Sequence, residues 1–288
     1  MHALRLIDAH THVVAPDEAV YPFSPRSLSG EWYREAPCSA DEFANLLSEN
    51  RVDGAVLVQP VGAYSYDNAY AADSAARFPG LFASVCCIDV EAADAVATLE
   101  YWVRERGMHG VRLFALSRAE RSWLAAPKTF PVWARAAELG VHAVVTIFEH
   151  QFGELRTVLE QFPEVPVSLD HCGFPPLAGA PWTEAQPLFA LADLPNLHCK
   201  VTTNSIELAR GKGGHPQSFI GELVRHFGAD RVMWGSDFCQ THDRSYPELV
   251  ALARDAFGEL SPGQQAACLG GTAARLWPSL RVRSSETD

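Results

Sequence analysis

Eight short apolar segments, each followed by a segment with helical spacing, constrain the fold of this chain more than any other feature. Most of them lack strict alternation of polar and apolar residues, which is typical of strands buried on both faces. Alternation of such strands with helices predicts right-handed βαβ units. The predicted strands cover residues 3–7, 54–60, 81–88, 109–114, 141–147, 165–169, 197–201 and 231–234.

Eight such units close naturally into a (β/α)8 TIM barrel. The length of 288 residues and the hydrophobic content of 48% fit one such domain with a substantial core. We therefore predict a single α/β barrel domain over 1–280, with a long loop after strand 1 (14–38), an extra C-terminal helix after Ser261 and a flexible tail over 281–288. The main rival is an open doubly wound sheet, which the lack of a glycine-rich phosphate motif after the first strand disfavours.

Charge and cysteine content narrow the class of partner and the compartment. The net charge of −12 disfavours nucleic acid or an anionic membrane surface as a partner. The seven cysteines are odd in number and form no C-x-x-C pair, which suits a reducing interior. We expect no secretory signal, no membrane span and a cytoplasmic location. The sequence leaves open whether the protein is a monomer or a homodimer.

The first predicted strand runs into two histidines, His10 and His12, separated by one residue. Residues two apart share a face of an extended chain, so both imidazoles can enter one pocket and bind a divalent cation or transfer protons. Asp8 lies two residues before His10 and should point to the same face, so we expect its carboxylate to hold one histidine in the required tautomer. An isolated H-x-H motif is also common in ordinary N-terminal segments.

Matching residues at other strand ends make the histidine pair harder to dismiss. Arg112 ends strand four, His171 follows strand six, Lys200 lies near the end of strand seven and Asp237 follows strand eight. A barrel gathers such positions at one face. Taken singly, His171 could be a core residue and Asp237 an N-cap. Together, three histidines and a carboxylate suit a catalytic zinc with an activated water, whose proton a carboxylate can accept.

Three segments resemble the amidohydrolase superfamily: 7–12, 169–173 and 232–238. The pattern is most similar to the branch of 2-pyrone-4,6-dicarboxylate lactonase, sugar lactonases and aminocarboxymuconate semialdehyde decarboxylase. The resemblance implies metal-binding roles for His10, His12 and His171, and it implies that Asp237 is both ligand and general base. Lys200 lies where related sequences often carry a lysine.

One departure from that family concerns the metal. Strand five offers no ligand, and strand four offers Arg112 in place of a modified lysine. His150 lies just beyond strand five and either reaches into the site or begins the next helix. We therefore expect one divalent metal ion, zinc, rather than two, while a metal-free mechanism stays open.

Candidate substrate contacts are Arg112, Lys200, Tyr64, Tyr66 and Trp32. Arg112 could clamp a carboxylate with both guanidinium arms, or form an ion pair inside the barrel. The three aromatic residues could wall the site, or pack their loops against the barrel.

The predicted function is that of a hydrolase acting on a small, carboxylated cyclic ester (lactone) or a related C–O or C–N bond. Asp237 would activate water, with His171 beside it in the catalytic centre. The alternative is a non-oxidative decarboxylase of an aromatic or muconate-like acid. A further alternative is a barrel that binds a ligand without turning it over. The sequence does not identify the substrate.

Overall fold

Eight parallel strands form one sheet, and each strand pairs with the next along the chain. The structure is a computed structural model that describes residues 5–25, 30–119 and 122–280. The tail predicted over 281–288 lies outside the described residues. The strands are β1 Ile7–Thr11, β2 Gly54–Val58, β3 Phe82–Cys87, β4 Gly110–Phe114, β5 His142–Thr146, β6 Val167–Leu169, β7 Leu197–Thr202 and β8 Val232–Gly235.

The two ends of the sheet meet between β1 and β8. Thr11 bridges to Phe238 in parallel, and the amide of Asp237 donates a 2.8 Å hydrogen bond to the carbonyl of His10. The result is a nearly closed (β/α)8 barrel, which confirms the predicted fold class. Its closure brings the first and last candidate site residues side by side.

Helices alternate with the strands as the spacing predicts. They are α1 Trp32–Glu35, α2 Ala40–Glu49, α3 Val61–Tyr64, α4 Ala69–Arg77, α5 Ala95–Glu100, α6 Phe130–Leu139, α7 Phe152–Gln161, α8 Gln186–Phe189, α9 Thr203–Arg210, α10 Pro216–Phe227, α11 Tyr246–Ala256, α12 Pro262–Ala266 and α13 Thr272–Leu276. The predicted helix over 67–78 begins at Ala69. A separate short helix, α3, precedes it and ends at Tyr64, and the next residue, Ser65, has φ 52°. None of the described helices has the length and hydropathy needed to cross a bilayer.

The extra C-terminal helix is present, and the residues after it close the amino-terminal end of the barrel. Trp277 and Leu280 join one apolar cluster with interior strand residues such as Ile7 and Val56. Trp277 also lies beneath Lys200, whose Nζ is 5.5 Å from its ring centroid. This plug leaves the carboxyl ends of the strands as the accessible end of the barrel.

The long loop after β1 packs across the opposite, carboxyl end. The hydroxyl of Tyr64 accepts a 2.8 Å hydrogen bond from the amide of Ala15, and the ring of Phe23 lies 5.3 Å from that of Tyr64. The loop ends at a capping box between Ser39 and Glu42 that begins α2, as the sequence predicts. Tyr64 therefore fixes the loop to the barrel.

Candidate active site at the carboxyl ends of the strands

His10, His12, His171 and Asp237 converge at the carboxyl end of the barrel. Oδ1 of Asp237 lies 3.5 Å from Nε2 of His10 and 3.4 Å from Nε2 of His12. The rings of His10 and His171 are 5.0 Å apart between centroids. All four side chains are buried. The four positions that the sequence singles out thus form one cluster.

Hydrogen bonds orient two of the imidazoles with Nε2 towards Asp237. Nδ1 of His12 donates a 2.7 Å hydrogen bond to the carbonyl of Val58, and Nδ1 of His10 donates to Oδ1 of Asp170 over 3.0 Å. In a neutral ring this arrangement leaves the Nε2 lone pair free. The hydroxyl of Thr202 lies 2.7 Å from Nδ1 of His171.

Asp170 occupies the centre of the buried charges beneath the histidines, a role that the sequence pattern did not predict. Besides His10, its carboxylate accepts hydrogen bonds from the hydroxyl of Thr146 over 2.7 Å and from Nε of Arg112 over 3.2 Å. The ammonium of Lys200 lies 3.1 Å from Oδ1. One carboxylate therefore pairs with two buried cations and orients one imidazole.

The backbone explains why Asp170 is not visible in the strand pattern. Adjacent residues of an extended strand point to opposite faces, so a strand ending in Asp170-His171 would send only one of them inward. Here the chain leaves the extended conformation after Leu169, and His171 and Cys172 adopt left-handed backbone angles, with φ of 55° and 54°. Both Asp170 and His171 therefore reach the interior.

Asp237 also has a left-handed backbone, with φ 62°. Such a conformation costs about 1–2 kcal/mol in a residue with a side chain, and it is concentrated at functional sites. Two of the four clustered residues, His171 and Asp237, thus carry this strain. The finding supports a functional rather than a packing role for the cluster.

The role predicted for Asp8 is wrong. Its carboxylate accepts hydrogen bonds from the backbone amides of His10 and Ser236 and from the hydroxyl of Tyr246. Because β1 is irregular between residues 8 and 11, Asp8 does not share the inward face of the histidines. Asp8 fastens β1 to β8 and α11, and Asp170 holds the imidazole instead.

Burial and neighbouring charges set the protonation states of the cluster. Burial lowers the pKa of His10 to about 3, against the opposing effect of Asp170, and burial lowers the pKa of His171. Burial alone would raise the pKa of Asp237, but the surrounding histidines outweigh it and keep that pKa below its usual range. At neutral pH His10 and His171 are therefore neutral imidazoles and Asp237 is a carboxylate.

These are the protonation states that a divalent cation requires of its ligands. Nε2 of His10 and Oδ1 of Asp237 are buried and have no hydrogen-bond partner. The distances from Oδ1 of Asp237 to Nε2 of His10, 3.5 Å, and to Nε2 of His12, 3.4 Å, match the edge of a tetrahedron with bonds of about 2.1 Å. The donor set therefore fits one divalent cation, and His171 lies beside it.

His150 does not belong to this cluster. It lies in the turn Glu149–Gln151 that leads into α7, is exposed, and stacks on Phe148 with 6.0 Å between ring centroids. Of the two alternatives left open by the sequence, the helix start is the one observed.

Arg112 and Lys200 both point at Asp170 rather than into open space. The guanidinium of Arg112 donates to Asp170, to Thr146 and to the carbonyl of Gln59, so the ion pair inside the barrel is the alternative that the structure contains. Lys200 is fully buried. Their contact with substrate stays a prediction.

Of the three candidate aromatic residues, Trp32 approaches the histidines most closely in the described contacts. Its ring centroid lies 5.7 Å from that of His12, and it lines a cleft of about 460 Å³ together with Asp237. Tyr64 holds the first loop, and Tyr66 is half-buried after α3. A further aromatic residue, Phe174, stacks on His171 at 4.7 Å and was not predicted.

Gly235 is the point where the barrel closes against the histidines. A Cβ atom at this position would lie 2.6 Å from Cβ of His10. We expect Gly235→Ala to lower the free energy of unfolding by about 1–3 kcal/mol, because His10 cannot move away from β8 without breaking its bond to Asp170. Urea unfolding at pH 7 measures the change. Gly221→Ala on α10 is the control, since its new methyl meets no atom within 4 Å; equal effects of the two substitutions would contradict this account.

The fold is a barrel that gathers polar side chains at the carboxyl ends of its strands, which is where barrel enzymes have their active sites. A sequence model of the amidohydrolase family matches residues 7–279. The chain therefore belongs to the amidohydrolase family and is an enzyme of that superfamily, as the resemblance implies.

Solved structures of similar proteins share the barrel fold. An amidohydrolase from Burkholderia multivorans with bound zinc is 24% identical, with a TM-score of 0.77 over 95% of this chain and 99% of that chain. A putative 2-pyrone-4,6-dicarboxylic acid hydrolase from Pseudomonas putida is 24% identical, with a TM-score of 0.76 over 96% and 98%. A dihydroxybenzoic acid decarboxylase from Polaromonas sp. JS666 with bound manganese is 14% identical, with a TM-score of 0.67 over 99% and 100%. No curated protein sequence matches this chain.

Proposed function

We propose that this enzyme hydrolyses a lactone, or a related C–O or C–N bond, of a small molecule. The observation that carries the proposal is the buried carboxylate of Asp237, whose Oδ1 lacks a hydrogen-bond partner and which lines the open cleft. A carboxylate placed there can accept a proton from water as the water attacks a carbonyl carbon.

His10, His12, His171 and Asp237 would hold one divalent ion, which we propose to be zinc. When bound, such an ion supplies a Lewis acid that polarises a carbonyl and lowers the pKa of water. The zinc and manganese in two structures of similar fold support the proposal.

The remaining residues position these groups. Asp170 keeps Nε2 of His10 directed at Asp237, and the paired charges of Arg112 and Lys200 keep Asp170 ionised: burial would raise the pKa of Asp170, but His10, Lys200 and Arg112 together hold it well below its usual range. Fixed groups of this kind lose little free energy to reorganisation during the reaction.

Metal content and chelation test the proposal. We expect about one equivalent of divalent metal per chain, because a catalytic zinc needs only about three protein ligands. Chelation should lower the rate of acid release from a panel of lactones at least tenfold, and added zinc should restore it. Elemental analysis and initial rates are the measurements. His12→Ala should lose the metal, whereas the control His150→Ala should keep it.

Three results would contradict parts of this proposal. A metal-free protein with full lactonase activity would contradict the proposed metal ion but not the proposed hydrolysis. Release of carbon dioxide from aromatic or muconate-like acids, without hydrolysis of any lactone, would identify a decarboxylase. A protein inert towards both panels would be a ligand-binding barrel.

A further inference from the structure

The hydroxyl of Thr202 holds the ring of His171 at Nδ1, with 2.7 Å between the oxygen and the nitrogen. We propose that Thr202 is a positioning residue that accepts a hydrogen bond from Nδ1–H and thereby presents Nε2 of His171 as a lone pair to the proposed divalent ion. This inference rests on the proposed function, because it takes His171 as a ligand and names the residue that sets its tautomer.

The other two imidazoles of the cluster are also held at Nδ1. That nitrogen lies 3.0 Å from a carboxylate oxygen of Asp170 in His10 and 2.7 Å from the carbonyl oxygen of Val58 in His12. Both partners can only accept, so each neutral ring carries its proton on Nδ1. His171 is neutral too, because burial lowers its pKa. A hydroxyl that accepts from Nδ1 gives all three rings the same tautomer, with Nε2 free for a cation.

Ring stacking alone does not fix the orientation of His171. Phe174 covers the ring at 4.7 Å between centroids with 29° between the planes, and the ring of His10 lies 5.0 Å away. A half-turn about the Cβ–Cγ bond would keep the ring in the same plane but exchange the positions of Nδ1 and Cδ2. Only a partner that bonds to nitrogen and not to carbon selects one of these orientations. Among the described contacts of the ring, the hydroxyl of Thr202 is that partner.

The position of Thr202 in the barrel keeps its hydroxyl at this ring. Thr202 is the last residue of β7 and is fully buried, so bulk water does not compete for the hydrogen bond. Lys200, two residues earlier, shares the inward face of the strand and pairs with Asp170 at 3.1 Å. β7 therefore supports both residues at the end of β6, Asp170 through Lys200 and His171 through Thr202.

The hydroxyl of Thr202 also departs from the role that threonine commonly has at a helix start. Thr202 is the N-cap of α9, a position where a threonine side chain usually accepts a hydrogen bond from a backbone amide of the first turn. Here the side chain makes no capping bond. The hydroxyl of the next residue, Thr203, donates to the carbonyl of Ser236 over 2.7 Å, beside Asp237. Both hydroxyls at the start of α9 are thus directed towards the cluster.

Removal of the hydroxyl with little change in side-chain shape tests the inference. In Thr202→Val, the zinc affinity measured by competition with a chromophoric chelator should fall about 10–100-fold, the range for loss of a group that orients a metal-bound histidine. Thr202→Ser keeps a hydroxyl and should restore most of this affinity. Nitrogen-15 NMR of the metal-free protein identifies the His171 signals by their absence from His171→Asn. They should report a proton on Nδ1 in the wild type and a larger share on Nε2 in Thr202→Val.

Thr272→Val is a matched control. Thr272 is equally buried at the start of α13, and its hydroxyl donates to the carbonyl of Ala229 over 3.1 Å, before β8 and so at the amino-terminal end of the barrel. This substitution should change neither the zinc affinity nor the nitrogen signals of His171. If Thr202→Val fails to fold, as judged by circular dichroism, the tautomer of His171 in the metal-free wild type still tests the inference.

The outcomes separate this inference from the proposed hydrolysis. Unchanged zinc affinity in Thr202→Val, or a proton on Nε2 of His171 in the metal-free wild type, would overturn the inference even if lactones are hydrolysed. A protein that binds no zinc and hydrolyses no lactone would contradict the proposed function, and the nitrogen signals would then decide alone. Identical signals in the wild type and Thr202→Val would overturn the role of Thr202, whereas a shift that Thr202→Ser reverses would support it.

Discussion

Asp237→Asn should lower kcat for lactone hydrolysis by at least about 10³-fold while the barrel stays folded. The amide cannot accept the proton of an attacking water, and it is a poorer ligand for a divalent cation than a carboxylate. Asparagine tolerates the left-handed backbone at this position, where φ is 62°. The loss should therefore appear in the chemical step rather than in stability.

Initial rates, metal content and urea unfolding of the Asp237→Asn variant measure these effects separately. Asp255→Asn is a suitable control, because Asp255 is an exposed carboxylate on α11. Activity within a few fold of wild type would remove Asp237 from the mechanism. Lost activity with full metal content would assign Asp237 to proton transfer rather than to metal binding.

Asp170→Asn should lower the free energy of unfolding by about 3–5 kcal/mol, the range expected when one partner of a buried ion pair is removed. The neutral amide leaves Lys200 and Arg112 as buried cations without a carboxylate. It also weakens the bond that orients His10, so activity should fall together with stability.

The pH dependence of that loss has a definite sign. The pKa of Asp170 is held well below its usual range, so the carboxylate stabilises the fold fully above its unfolded pKa of about 3.9 and loses this effect as pH falls towards the folded pKa. The difference between wild type and Asp170→Asn should be constant from pH 7 to about pH 5 and should shrink only in stronger acid.

Urea unfolding across this pH range tests the prediction, and a double-mutant cycle with Lys200→Met provides its control. Removing Lys200 in the Asp170→Asn background also removes one unpaired cation, so the double variant should lose less stability than the sum of the single variants. Strict additivity, or a difference that grows in acid, would contradict the proposed ion-pair network.

Much of the fold could be predicted because buried parallel strands leave a strong local pattern. The positions of β2 to β8 agree with the apolar segments to within a few residues, and the capping box at Ser39 begins α2 as expected. β1 lies further along than predicted, at Ile7–Thr11. Polar site residues within the strand itself hide its true extent from a search for apolar runs.

The sequence by itself determined the barrel and the convergence of four residues at its carboxyl end, His10, His12, His171 and Asp237. These are chemically distinctive residues at the ends of apolar strands, and parallel strands in a barrel bring their ends to one face. Both the residue types and their positions at the ends of apolar segments can be read directly from the sequence.

Only the tertiary structure decided that Asp170, and not Asp8, orients His10, and that the cations near the site already have partners. Both depend on backbone angles and on distances between segments that are remote in sequence: Asp170 and His10 are 160 positions apart. Residues two apart point to the same face only while the chain stays extended. This rule fails at the irregularity of β1 and at the left-handed turn after β6.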